Sequence, residues 1–512
     1  MPASTILKYL IFCFIILFLA GCGEGDTEVT PLSISTLQTD YDPNGFSPLT
    51  ATLKVKSNQA VSTTITVKGK SNPKTDISKT YEIADTTLQC LPIVGLYAAY
   101  NNQIEIAFTR DGELLQTEEL DIFTEALSPH IPEIQIDVPA SDVIKPGLNL
   151  VNSFSNNGEA VPQRPFMFDE EGEVRWYLDY EGHPQLGNLF YDVGLIRLRN
   201  GNFAFGDGNS ATLYEVDVMG EVINDWPLKG FGFHHTLLEK PNGNFVVTVN
   251  DWSKPTREDV ILEIDRVSGD IVNIWDLNNS LERDRKALEI EGINLDVDWF
   301  HANGLFYDSA ADEIIVSGRL QCVVKLSNNN EVKWILGPHR GWTTSGNGIE
   351  LDQFLLTPLD ADNQPIISPD VLDGATSHED FDWNWFQHSP QVLPNGNLLL
   401  FDNGFARNYR TWPWYSRAVE YKIDEAAKTV QQVWSYGAER TEIFSSIVSS
   451  VRFHEDENTV LMSPGAAGFF GANFGKVVEV DRRTNEVLFE ATVIPAESLF
   501  SIVFHSVERM EL

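Results

Sequence analysis

Basic residues are scarce in this chain: 36 lysines and arginines stand against 74 aspartates and glutamates, a formal net charge of -38. A surface this negative repels phosphate backbones and anionic headgroups, which argues against a nucleic-acid or anionic-lipid surface as partner. Cysteine is scarcer still. Of the four, only Cys90 and Cys322 lie beyond the first 22 residues. They fall in regions read below as separate domains, so no disulfide is indicated and two free, buried thiols are expected. A catalytic cluster is missing upstream of about residue 128. The apolar run from Tyr9 to Leu19 is too short for an ordinary transmembrane helix.

That run follows a single lysine and ends in Leu19-Ala20-Gly21-Cys22, which resembles a bacterial lipoprotein signal. The resemblance implies cleavage of residues 1–21 and lipidation of Cys22. It places the protein in the cell envelope, lipid-anchored and facing the periplasm or exterior. Gly23 stands where a plasma-membrane retention signal carries aspartate, so an outer-membrane destination is expected if the cell has one.

About 490 residues remain after such cleavage, enough to bury more than one core. Between Val29 and Glu125, short β-branched runs such as Leu49 to Val55 and Thr63 to Val67 alternate with Asn, Asp, Gly and Pro. About seven strands in that length point to a β-sandwich over 22–128. Pro129 and Pro132 mark a boundary, and 129–149 is expected to be a linker.

The remainder, 150–512, is built from two repeated hairpins. The inner one is clearest at 385–404, WFQHSPQVLPNGNLLLFDNG, where Asn-Gly is expected to supply the positive φ values of a tight turn. His235 stands six residues before Pro241-Asn-Gly-Asn244, the register of His388 before Pro394. A third copy begins at His301 and ends at Arg319. The outer hairpin closes on an aromatic residue, at Trp176, Trp226, Trp275, Trp334, Trp434 and Phe489. Alternating inner and outer hairpins give four strands per unit and about six units, the arithmetic of a six-bladed β-propeller. The wide gap between Trp334 and Trp434 predicts an insertion at about 337–383. Its aromatics, with Trp342, Trp383 and Trp385 among them, are read either as a lid over the rim or as a surface excursion.

If the first hairpin strand of each blade lines the channel, His235, His301 and His388 share one rim. Asn303 lies on the strand face of His301, and Arg319 ends the antiparallel partner. His234 is the weaker neighbour, because His235 alone keeps the hairpin register.

These residues resemble the bacterial arylsulfate sulfotransferases, periplasmic six-bladed propellers with an N-terminal β-domain. The resemblance rests on Val94-Gly-Leu-Tyr97 and Tyr100-Asn-Asn-Gln in the first domain. In the second it rests on His234-His235 before LxxPNGN, Asp298-Trp-Phe-His301-Ala-Asn303, Ser317-Gly-Arg319, Ile335-Leu-Gly-Pro338, Gln387-His388 and Tyr415-Ser-Arg417 with Glu420-Tyr421. It implies nucleotide-independent transfer of a sulfuryl group from a phenolic sulfate to a phenol through a sulfohistidine. His388 falls on the nucleophile. His235, His301 and Arg319 fall on catalytic positions, Asn303 and His234 on substrate-binding ones. No cofactor and no metal are implied, and oligomeric state is open, a homodimer included.

The chemistry is sound without the resemblance, since a neutral imidazole is a competent nucleophile. Either His235 or His301 can protonate the leaving oxygen, and the sequence leaves that choice open. Two rival readings are a histidine-ligated metallohydrolase, against which Arg319 and the lack of a nearby carboxylate motif argue, and a non-catalytic propeller scaffold that binds glycans or proteins. A scaffold has no reason to gather histidines on one rim.

Overall fold

Residues alternating apolar and polar, punctuated by turn formers, make β-strand the dominant regular structure among the described residues, beside two α-helices of four residues each. The structure, a computed structural model, describes residues 31–83, 88–156, 163–189, 194–286, 293–411, 413–468, 474–497 and 501–512. The expected signal segment and Cys22 lie outside them. No helix among the described residues is long and apolar enough to cross a membrane.

The first domain has seven strands between Ile34 and Phe123. The first, second and fifth make one sheet, and the fourth, third, sixth and seventh, in that order, make the other. Leu53, Ile65, Ile106 and Phe108 fill the space between them. Cys322 is buried, but Cys90, expected inside, is exposed. On the strand Gln89–Val94 the pleat sends Leu91 and Ile93 into the core, so Cys90 faces water.

Among the described residues six further sheets follow, each of four or five strands. Apolar clusters fill each gap between neighbouring sheets: Trp176 meets Phe203, Trp226 meets Phe245, Trp275 meets Val324, Val323 meets Leu400, Phe401 meets Met462, and Ala491 joins Phe504. The last of these returns to the first sheet. The molecule is a six-bladed propeller preceded by a β-sandwich, and its ring is fastened twice. The C-terminal strand Ser501–Met510 is the innermost strand of blade 1, paired with Leu148–Asn156. The strand Glu133–Val138 is the outermost of blade 6, paired with Val487–Ile494. This corrects the expected linker at 129–149. The two prolines do break the chain, but Ile134, Ile136 and Val138 behind them alternate with polar residues and add a strand to an open edge.

The outer aromatics have a mechanical role. The indole N–H of Trp176 donates to Val218 O at 2.8 Å, that of Trp226 to Arg266 O at 2.9 Å, and that of Trp275 to Ser327 O at 2.9 Å, each acceptor in the outer turn of the next blade. Each tryptophan therefore fills an interblade gap while its polar edge pins the neighbour. Trp275→Ala should cost about 3 to 5 kcal/mol and Trp275→Phe about 1 kcal/mol for the lost hydrogen bond. Denaturant midpoints of the two variants check this, and a Trp275→Phe variant as stable as the parent would show that the hydrogen bond contributes nothing.

The inner turns differ from expectation in detail. In Leu393-Pro-Asn-Gly-Asn397, Gly396 takes φ of +84° while Asn395 does not enter the positive region. Asn395 instead accepts the N–H of Asn397 on its side chain at 3.0 Å, and Asn242 and Asn200 do the same for their turns. The second asparagine holds a glutamate of the third strand: Asn397 holds Glu420, Asn244 holds Glu263 and Asn202 holds Glu215. Part of the acidic excess is thus buried and paired at the face opposite the histidines.

The insertion is not a lid. Thr357–Leu359 adds a parallel outer strand to blade 5, and Trp383 and Trp385 are buried between blades 4 and 5, with Trp342 buried between blades 3 and 4. The two domains meet at Arg175, fully buried, whose Nε donates to Gly95 O and whose Nη1 donates to Thr75 O, Tyr97 Oη and Asp169, all at 2.9 Å. That contact gives Val94-Gly-Leu-Tyr97 a structural reason.

Candidate active site

The inner strands do not run straight through the channel mouth. Pairing in blade 3 jumps between Phe233 and Leu237, in blade 4 between Ala302 and Gly304, in blade 5 between His388 and Gln391, and in blade 1 between Phe504 and Ser506. Each jump is a bulge, which unpairs a residue and turns its side chain. The residues so released or flanked are His234, His235, Asn303, His388 and His505. His235 and His301 carry φ of +57° and +58°, left-handed values rare for such side chains. The bulges bring blades 4 and 5 together so closely that a Cβ on Gly304 would stand 2.8 Å from Pro390 Cδ. Only glycine fits there.

His388 is buried, and its Nδ1 lies 2.9 Å from Phe386 O and 2.7 Å from Asn403 Oδ1. Asn403 cannot present its nitrogen instead, because Nδ2 already donates to Ser445 O at 2.8 Å and Val448 O at 3.0 Å. Two acceptors therefore fix the proton on Nδ1 and the lone pair on Nε2. Nε2 has no hydrogen-bond partner among the described residues. Burial pushes the pKa down to about 3, against the Asn403 hydrogen bond and with help from Arg319 and His301.

His301 is in the opposite state. Burial and the Arg319 charge press its pKa down, but Asp298 at 2.9 Å and Glu258, both on Nδ1, outweigh them and leave it raised. Its Nε2 stands 3.1 Å from Nε2 of His235. Burial, together with His505 and His301, holds His235 well below the ordinary value. The carboxylates therefore favour a proton on His301, and burial disfavours one on His235. The ring of His234 lies 3.7 Å from that of His235, tilted by 57°, and its Nε2 is 2.9 Å from Glu258, which also touches His301.

Arg319 donates its backbone N–H to His301 O at 3.0 Å, so the two residues are neighbours across the ends of adjacent antiparallel strands of blade 4. Asn303 donates Nδ2 to Gln387 O at 2.9 Å, which leaves Oδ1 buried with no hydrogen-bond partner among the described residues. Gln387 also binds Gly318 O at 2.6 Å and so locks blade 4 to blade 5 one residue before His388. A cavity of about 90 Å3 runs along the channel here, lined from all six blades by residues that include Asn152, Ile196, His235, Asn303, His388 and Ser450.

A sequence model of the arylsulfotransferase (ASST) family matches residues 134–499, and a model of the arylsulfotransferase Ig-like domain matches 38–125. The chain belongs to the arylsulfotransferase family. A protein of Escherichia coli O6:H1 named arylsulfate sulfotransferase AssT is 31% identical over 545 residues, covering 88% of this chain and 89% of its own. Its namesake from Lelliottia amnigena is 30% identical over the same shares. A periplasmic gluconolactonase structure from Pseudomonas aeruginosa covers 71% of this chain and all of its own, at 11% identity and a TM-score of 0.37. The fold assignment rests on the sheets themselves.

This arylsulfotransferase therefore gathers His234, His235, His301, His388, Asn303 and Arg319 at one mouth of its propeller. Three more residues belong to the group that sequence reasoning did not single out. His505, on the closing strand, has its ring 4.6 Å from that of His235, and its pKa is driven well down by burial and by His388. Glu258 and Asp298 supply the carboxylates that the sequence was read as lacking, which removes one of the two arguments against a metal. The signal for Asp298 was present, three residues before His301. His505 and Glu258 sit outside any hairpin register and gave none. Behind His388 the arylsulfotransferase carries a buried ionic frame: Asp402 accepts from Arg407 at 2.7 Å and Arg417 at 2.8 Å, and from the backbone of Trp385 at 2.8 Å. It anchors both ends of the hairpin that presents the histidine.

Proposed function

We propose that the protein moves a sulfuryl group from a phenolic sulfate ester to a phenol in two steps, through a sulfohistidine at His388. The observation that carries this reading is the double acceptor at His388 Nδ1, which leaves Nε2 as an unprotonated nucleophile in a polar cavity. In the first step Nε2 attacks sulfur, the S–O bond to the aryl group breaks, and its electron pair leaves on oxygen. His301 Nε2–H supplies the proton, its imidazolium sustained by Asp298 and Glu258. Arg319 meets the charge on the non-bridging oxygens. In the second step the acceptor phenol returns a proton to His301, its oxygen attacks sulfur, and the N–S electrons go back to Nε2. His235 stays neutral and accepts from His301 between turnovers. The ester carries one negative charge, so the protein's own cations suffice.

Transfer from a chromogenic aryl sulfate to phenol, in buffer treated with chelator, tests the reaction. Its pH profile tests the assignments. His388 must be unprotonated, which holds at all pH above about 3, so rate should persist into mildly acidic buffer. His301 must be protonated, so rate should fall as pH rises through its raised pKa. A rate that climbs steadily with pH would contradict the role of His301.

We further propose anchoring through a lipid on Cys22, in the envelope of the cell. Cys22→Ala should then leave the membrane fraction or remain unprocessed, and a processed variant that stays membrane-bound would end that reading.

A further inference from the structure

We propose that His234, His235 and His301 also form an inhibitory site for a borderline-soft divalent cation of the Zn2+ class. Each offers a ring nitrogen, and the three lie within 4.8 Å of one another. The Nε2 atoms of His235 and His301 are 3.1 Å apart. Two imidazoles at opposite corners of a tetrahedral zinc edge place their nitrogens about 3.4 Å apart, given bonds of about 2.0 to 2.1 Å. A shift of a few tenths of an ångström admits the ion.

The surroundings are those a zinc histidine requires. Ligating imidazoles hand their other nitrogen to a carboxylate, which fixes the ring and raises its donor strength. His301 does so toward Asp298 at 2.9 Å and toward Glu258, and Glu258 also lies 2.9 Å from Nε2 of His234. The two carboxylates balance a doubly charged ion inside a buried site. Arg319 beside His301 opposes the ion, which makes binding reversible rather than structural. The proton balance is simple: the cation takes the lone pairs of the His235–His301 pair, and the proton shared between them leaves to water. No electron moves.

The inhibitory consequence rests on the function proposed above, because an ion on His301 and His235 removes the acid that the leaving phenol needs. Chelator-treated protein should bind one Zn2+ by calorimetry with about one proton released. It should give the intense visible bands of tetrahedral Co2+ when that ion is the probe. Transfer should fall in step with occupancy and recover with added chelator or excess aryl sulfate. His234→Asn should weaken Zn2+ binding at least tenfold. His378→Ala, which breaks up the half-exposed His378-Glu379-Asp380 triplet, should change neither the Co2+ bands nor the inhibition. Octahedral Co2+ spectra, affinity indifferent to His234→Asn, or a rate raised by Zn2+ would each overturn the site. The two proposals fail separately: transfer undisturbed by millimolar Zn2+ ends the cation site alone, whereas tight Zn2+ binding by a protein that transfers no sulfate ends the proposed function alone.

Discussion

Arg319→Ala should lower kcat about 100- to 1,000-fold while leaving the melting curve close to that of the parent. A preorganised donor facing charge that develops in the transition state is worth roughly 3 to 4 kcal/mol of barrier. Arg319 is placed for that work, since its backbone is fixed to His301 O at 3.0 Å and its guanidinium lies 5.9 Å from the Phe386 ring beside His388. Its charge also helps keep His388 unprotonated, so the variant should show a small rise in the pKa of the acid limb. Arg319→Lys should recover only part of the loss, because a point charge does not reproduce the planar fork that meets two sulfuryl oxygens. Full activity in the alanine variant would return Arg319 to a packing role.

His388→Asn should cost more, on the order of 10,000-fold or greater in transfer, as expected when a covalent nucleophile is removed. The amide can keep hydrogen bonds to Asn403 and Phe386, so the buried hairpin should survive. The fold has independent support there from Asp402 with Arg407 and Arg417. Substrate should still bind, since Arg319 and His301 remain. A variant that binds aryl sulfate, melts normally and neither transfers nor hydrolyses it is the expected outcome. Residual transfer within tenfold of the parent would place the nucleophile elsewhere in the cluster.

What could be read from the sequence was whatever is encoded locally. The inner hairpins carry their register in the fixed distance from histidine to Asn-Gly, and each outer tryptophan marks a strand because it fills the same interblade gap. These local signals suffice to count blades and to put His235, His301 and His388 on one mouth. The pieces that escaped are set by partners far away in the chain. His505 reaches the site only because Ser501–Met510 pairs with Leu148–Asn156 to close the ring, and no turn motif announces it. Glu258 enters from a loop, with φ of +59°, where periodicity says nothing. Glu133–Val138 looked like linker because its pairing partner is at the other end of the propeller. The tryptophans of the insertion were open to two readings, a lid or a surface excursion, because burial is a property of neighbours, and the parallel strand Thr357–Leu359 that draws the segment onto blade 5 is only three residues long. The proposed choice of His301 over His235 as the acid draws on the position of two carboxylates, and the proposed tautomer of His388 on the anchored amide of Asn403.

The covalent step at His388 can be trapped in a single experiment. The protein is mixed with sulfur-labelled aryl sulfate without acceptor, quenched rapidly under alkaline conditions that preserve N-sulfonated imidazole, digested and sequenced by mass. A burst of about one phenol per protein is expected, with one sulfuryl label on the peptide containing His388, discharged when phenol is added before the quench. Transfer that proceeds at full rate with no burst and no labelled peptide would contradict the covalent step and leave direct displacement between the two substrates.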